Sequence, residues 1–181
     1  MIRYYTGVGH RARNVSKEGE SFALWLSDEM AKRDIYLLSG DADGIDKHFE
    51  TNCQDKCVIY LPYPSFGHYE GRNTDVRHCL TEDEKKYAEG QLFINGILPE
   101  IAVMPEGSKR FHLRNFFQAW NFDDLPEVCF YYAREDADGN IEGGTRTAVY
   151  TARFLGVPCY NFYTEEGREE IRNLLKSGEY L

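Results

Sequence analysis

Along the chain, short apolar runs alternate with longer segments in which apolar side chains recur every three or four residues. The first run covers residues 2–6 and ends in Gly7-Val8-Gly9, after which Phe22, Leu24, Trp25, Leu26 and Met30 fall at near-helical spacing within residues 16–33. A second run, Ile35-Tyr36-Leu37-Leu38, ends in Ser39-Gly40-Asp41-Ala42-Asp43-Gly44 and leads into a helix over about residues 46–52. A third, Val58-Ile59-Tyr60-Leu61, is closed by Pro62 and Pro64, neither of which continues a central strand. Residues 65–122 are more charged and aromatic and predict an insertion over one sheet edge, with helices at 82–95 and 113–120. Then come a fourth run over 128–132, a polar loop over 134–142, Gly143-Gly144-Thr145, a helix over 146–155, a strand over 157–162 and a last helix over 165–176. Strands alternating with helices at this spacing predict an α/β protein: a Rossmann-like parallel sheet with helices on both faces and a mostly helical insertion. Residues 1–181 read as one domain.

Composition narrows the function classes. Apolar residues at 42% and aromatics at 14% supply a sizeable core, which excludes a disordered chain. Thirty acidic against 21 basic residues leave a formal charge of −9, which disfavours a broad basic face for single-stranded DNA and leaves room for a small anion held by backbone N–H groups. No apolar run approaches the roughly 18 residues of a membrane helix and the N-terminus carries no leader-like segment, so a cytoplasmic protein without a membrane partner is expected. Five cysteines suit reduced thiols, and the Cys53/Cys57 pair with His48 and His68 nearby lacks a second ligand pair at zinc spacing, so no metal is expected there.

Three Gly-rich turns, each after an apolar run, should converge beyond the carboxyl ends of the strands. Gly7-Val8-Gly9-His10-Arg11 has the context of a phosphate turn. It lacks a partner acidic residue after the second strand to hold a dinucleotide ribose. Ser39 to Asp46 sets a hydroxyl, two Gly and three carboxylates in one turn, and Asp46 reads as a helix cap in the plainer interpretation. Gly143-Gly144-Thr145-Arg146 joins open N–H groups, a hydroxyl and a cation at a helix start.

In order, Thr6-Gly7-Val8-Gly9-His10-Arg11, Leu38-Ser39-Gly40-Asp41-Ala42-Asp43-Gly44-Ile45-Asp46 and Gly143-Gly144-Thr145-Arg146 with Leu155-Gly156-Val157-Pro158 resemble the motifs of the SLOG superfamily. That group holds DNA-processing protein A, the Lonely guy phosphoribohydrolases and molybdenum-cofactor carriers. The chain is most similar to a DNA-processing-protein-A-like set common in phages and bacteria, through Tyr60-Leu61-Pro62 and Arg114-Asn115-Phe116-Phe117-Gln118 as well. The resemblance implies a Rossmann-like fold that binds nucleotides or related phosphorylated ligands at these loops; a homo-oligomer is expected as well. It places Arg114 where the phosphoribohydrolases carry a catalytic Arg. Their helix Glu after the Gly motif has no counterpart in Thr145-Arg146-Thr147-Ala148-Val149-Tyr150, so Glu142 or Glu50 would have to supply the carboxylate of an N-glycosidic hydrolase. His10 stands where the family often has Ser and Asp41 where it often has Gly; an Asp there suits ribose hydroxyls or a divalent ion near Asp41 or Asp43 better than phosphate.

The leading expectation is a nucleotide-binding protein, with cleavage of a nucleoside monophosphate at the N-glycosidic bond as its hydrolase version. Gly7, Gly9, Gly143, Gly144 and Thr145 would hold phosphate, with Arg11, Arg114 and Arg146 neutralising it. His10, Ser39, Gly40, Asp41, Asp43, Asp46, Asn115 and Gln118 would complete the site, Asp43 or Asp46 taking ribose and Tyr63 stacking the base. Arg114 and Glu142 are the catalytic candidates, and no organic cofactor is expected. A module for single-stranded DNA or a recombinase, kept open by Lys109-Arg110 with Arg114, and a non-catalytic sensor or sponge of a nucleotide signal are the alternatives.

Overall fold

A computed structural model describes residues 2–66, 76–122 and 124–178. Six strands form one parallel sheet: β1 (Arg3–Gly9), β2 (Ile35–Ser39), β3 (Cys57–Leu61), β4 (Arg77–Cys79), β5 (Val128–Tyr132) and β6 (Cys159–Asn161), in the order β4-β3-β2-β1-β5-β6. The helices are α1 (Lys17–Lys32), α2 (Ile45–Glu50), α3 (Glu82–Ile94), α4 (Glu106–Phe117), α5 (Thr145–Phe154) and α6 (Glu165–Ser177). This is the α/β, Rossmann-like arrangement read from the alternation of runs.

Burial on both faces explains the continuous apolar runs. Along β5, Val128, Phe130 and Tyr132 enter the core formed with Phe22, Leu26 and Phe49, while Cys129 and Tyr131 enter the core formed with Ala148 and Val149. The period of two thus serves two helix layers at once. A third cluster, with Leu38, Tyr60, Phe116 and Phe117, seats α3 and α4. Local caps agree with the fold: the Ser16 hydroxyl accepts from Gly19 N at 3.1 Å at the start of α1, and Thr81 and Glu84 form a capping box on α3.

The structure differs from the sequence expectation at four places. Gly7 and Gly9 are strand residues, paired with Phe130 and Tyr132, because a side chain at either would strike Phe49 or Ile45 packed across the strand. The turn begins at His10. Residues 65–122 are more than a helical cover, since Arg77–Cys79 extends the sheet as edge strand β4 beside β3. The helix expected over 113–120 starts at Glu106, where Ser108 N and Lys109 N bond to the Pro105 carbonyl, so Arg114 sits in its last turn rather than its first. The final strand is shorter than residues 157–162. His68 lies outside the described residues.

Strand order reverses around β1: β2, β3 and β4 lie to one side, β5 and β6 to the other. Beyond its carboxyl end the neighbouring connections diverge and leave a crevice.

Candidate anion site at the carboxyl edge

A cavity of about 300 Å³ occupies that crevice. Each of the three turns contributes to its wall: Gly9, His10 and Arg11 from the first, Ala42 and Asp46 from the second, Gly143, Gly144 and Thr145 from the third. The first two turns are stitched together, Ala12 N donating to the Asp43 carbonyl at 3.1 Å and Ile45 N to the His10 carbonyl at 3.2 Å. Gly44 holds φ 120°, and a Cβ there would collide with the His10 carbonyl, so this crossing requires Gly.

The third turn opens α5. Gly144 is its N-cap residue and provides no side-chain cap, and Gly143, Gly144 and Thr145 bring this end, the positive end of the helix dipole, to the cavity wall. Asn115 of α4 fixes this end by donating from Nδ2 to the Gly144 carbonyl at 2.7 Å. One α4 stripe, Phe111, Arg114, Asn115 and Gln118, lines the cavity opposite. These positions are i, i+3, i+4 and i+7, one helical face.

Arg114 is the buried cation of the site, at 4% exposure. One of its amino groups donates to the Gly40 carbonyl and lies 3.5 Å from an Asp46 oxygen. Gly40 leaves the room, since a Cβ there would overlap the guanidinium. Burial pulls the Arg114 pKa down, opposed by the charges of Asp46, Glu50 and Asp41; an arginine stays protonated nonetheless. Its Nε, buried, has no hydrogen-bond partner. Asp46 sits two residues inside the helix it was expected to cap and accepts instead from Gln118 Nε2 at 3.1 Å, Gly9 N at 3.3 Å and Ala42 N at 3.4 Å. Burial raises its pKa, with Arg114 and these donors opposing. His10 accepts from Arg134 N through Nε2 at 3.0 Å, and burial lowers its pKa, so it stands neutral with the proton on Nδ1.

Several expected site residues lie elsewhere. Ser39, Gly40 and Asp41 lie outside the wall: the Ser39 hydroxyl and Asp41 N both donate to Glu50, at 2.7 and 2.9 Å, and Asp41 pairs with Arg77 at 3.2 Å. A cation therefore already faces Asp41, and Asp43 is exposed near Lys47 at 4.0 Å. Among the described residues no group of three or more His, Cys, Asp or Glu could hold a metal. Glu50 is buried and outside this cavity, leaving Glu142 as the exposed carboxylate on its wall. Tyr63 is not in the wall; it packs on Phe66 and Phe111, and Arg110 stacks over it at 4.3 Å. Arg146, expected to neutralise phosphate, instead pairs with Glu100 at 2.6 Å and is not in the wall. The cavity wall adds Arg13 and Phe111, both absent from the expectation. A helix start at Glu106 rather than at residue 113 would have put Phe111 on the stripe with Arg114, Asn115 and Gln118.

No family model matches this chain, and no curated protein matches it in sequence. Its structure is similar to DNA processing protein A from Helicobacter pylori, a single-stranded-DNA-binding protein, with TM-score 0.57 and 17% identity over 99% of this chain and 74% of that one. It is similar too to the molybdenum cofactor carrier protein of Chlamydomonas reinhardtii, with TM-score 0.54 and 12% identity over 98% and 87% of the two chains. The chain thus has a Rossmann-like fold similar to those of both proteins. Among the described residues no helix is long and apolar enough to cross a membrane.

Proposed function

We propose that this chain binds a single phosphorylated nucleoside in the cavity at the carboxyl edge of its sheet. The observation that carries the reading is the convergence of the uncapped α5 N-terminus with three guanidinium side chains, Arg11, Arg13 and Arg114, on one cavity wall. Phosphate would lie against Gly143, Gly144 and Thr145, with the base against Phe111, over which Arg11 is already placed at 5.9 Å. At about 300 Å³ the cavity is at the small end of ligand sites, which favours a mononucleotide over a dinucleotide. Purified protein is to be denatured and its released small molecules identified by mass spectrometry, with the best ligand then titrated by calorimetry. Absence of any nucleotide, together with no heat from a panel of nucleoside mono-, di- and triphosphates, refutes the reading.

Turnover would fall to Glu142, the exposed carboxylate on the cavity wall, which would activate water at an N-glycosidic bond while Arg114 neutralises the phosphate. Free base released by the wild type and not by Glu142→Gln marks a hydrolase. Tight binding without base release marks a sensor or sponge. The similarity to DNA processing protein A favours single-stranded DNA as a second reading. Against it stands the net charge of −9. Fluorescence anisotropy with a labelled oligonucleotide at physiological salt separates the two.

A further inference from the structure

A second cavity, of about 310 Å³, opens beside the turn from α2 to β3, away from the anion site. Cys53 and Cys57 both line it, at 8% and 4% exposure, with Glu50 and Arg77 on the same wall. Their sulfurs are 2.8 Å apart. Cys53 Sγ also lies 3.3 Å from the Glu50 carbonyl. The turn that brings the sulfurs together is tight: Lys56 N bonds to the Cys53 carbonyl at 2.7 Å, and Gln54 takes the left-handed φ of 49°.

We propose that Cys53 and Cys57 are a reversible dithiol–disulfide site that reacts with low-molecular-weight disulfides entering this cavity. In the first step one protein sulfur, as thiolate, attacks a small disulfide RSSR; a protein–SR bond forms, the S–S bond of RSSR breaks, and RS⁻ leaves and takes up the proton that the attacking thiol lost. In the second, the other cysteine, deprotonated in turn, displaces the remaining RS⁻, which leaves as RSH. Two protein thiols are oxidised by two electrons and one RSSR is reduced to two RSH. The second step is favoured by proximity, since the sulfurs need close by less than an ångström to reach the roughly 2.05 Å of a disulfide bond. The contact with Cys53, and then burial, raise the Cys57 thiol.

The probe is bis(2-hydroxyethyl) disulfide, added to the folded full-length chain, followed by maleimide blocking in denaturant, trypsin and mass spectrometry. Cleavage after Lys56 separates the two cysteines, so a cross-linked peptide pair reports the new bond. In the wild type the expected product is the Cys53–Cys57 cross-link, lost on treatment with dithiothreitol, with Cys129 still alkylated. Cys57→Ser should instead stop at a stable hydroxyethyl adduct on Cys53. Maleimide on both cysteines after oxidation, a persistent adduct in the wild type, or cross-links that favour other cysteines would overturn the proposal. Should Cys57→Ser fail to fold, the wild-type product alone decides.

Discussion

Removing the Arg114 charge tests whether the floor of the anion site is a matched ion pair. Arg114 and Asp46 are 3.5 Å apart, with side chains 5% and 4% exposed. At an effective dielectric of about 20, unit charges at that separation attract by about 5 kcal/mol, which offsets the desolvation of both. Arg114→Met keeps most of the side-chain volume and strands the Asp46 carboxylate, so stability should fall by about 3–5 kcal/mol. Arg114→Met combined with Asp46→Asn removes both charges, and the Asn can still receive one of the backbone N–H bonds from Gly9 or Ala42. That double variant should lie within about 1–2 kcal/mol of wild type. Urea denaturation followed by circular dichroism measures both. The pH dependence has a definite sign. Asp46 titrates above its unfolded value, so the folded state binds its proton more tightly and the cost of its charge disappears as pH falls through the folded pKa. Without Arg114 that pKa rises further, and the deficit of Arg114→Met should shrink on acidification, while Asp41 and Glu50 titrate in both proteins and largely cancel in the difference. A double variant no more stable than Arg114→Met, or a deficit independent of pH, refutes the matched pair.

Arg13→Ala should weaken the calorimetrically identified nucleotide by roughly 1.5–3 kcal/mol through loss of a charge-assisted contact. Arg146→Ala, which removes only a partly exposed pair with Glu100, should change binding little and stability by no more than about 1 kcal/mol; equal losses of affinity in both would remove the cavity as the site. Gly7→Ala sets a Cβ 2.6 Å from the Phe49 ring and should cost about 1–3 kcal/mol of stability by overpacking, with the affinity of the folded fraction retained. An unchanged urea midpoint would show that Phe49 moves aside freely.

What the sequence disclosed, and what it hid, divides along the range of the interactions concerned. The order of strands and helices was legible because strands buried on both faces need unbroken apolar runs, as in Val128-Cys129-Phe130-Tyr131-Tyr132. Arg77-His78-Cys79 carries no such run and becomes a strand only because it lies beside Ile59, Tyr60 and Leu61 at the sheet edge. Gly7 had the appearance of a phosphate turn, yet its missing Cβ serves Phe49, a contact 42 residues away that no local pattern encodes. Arg146 finds Glu100 in the same non-local way. Arg114 was expected in the first turn of a helix over residues 113–120, and the structure sets it in the last turn of α4. In that last turn the helix dipole itself favours the guanidinium charge, so the dipole gives no reason for an anion beside it. The case for a ligand beside Arg114 therefore rests on its Nε, buried and without a partner, and on the uncapped end of α5 across the cavity. The net charge of −9 bears on that case only weakly. Charges on the solvated surface more than about 10 Å from the cavity are screened at ordinary ionic strength, so its potential is set locally, by Arg11, Arg13 and Arg114 against Asp46 and Glu142, and an acidic chain is compatible with the proposed site for one small anion while its overall charge opposes a long polyanion.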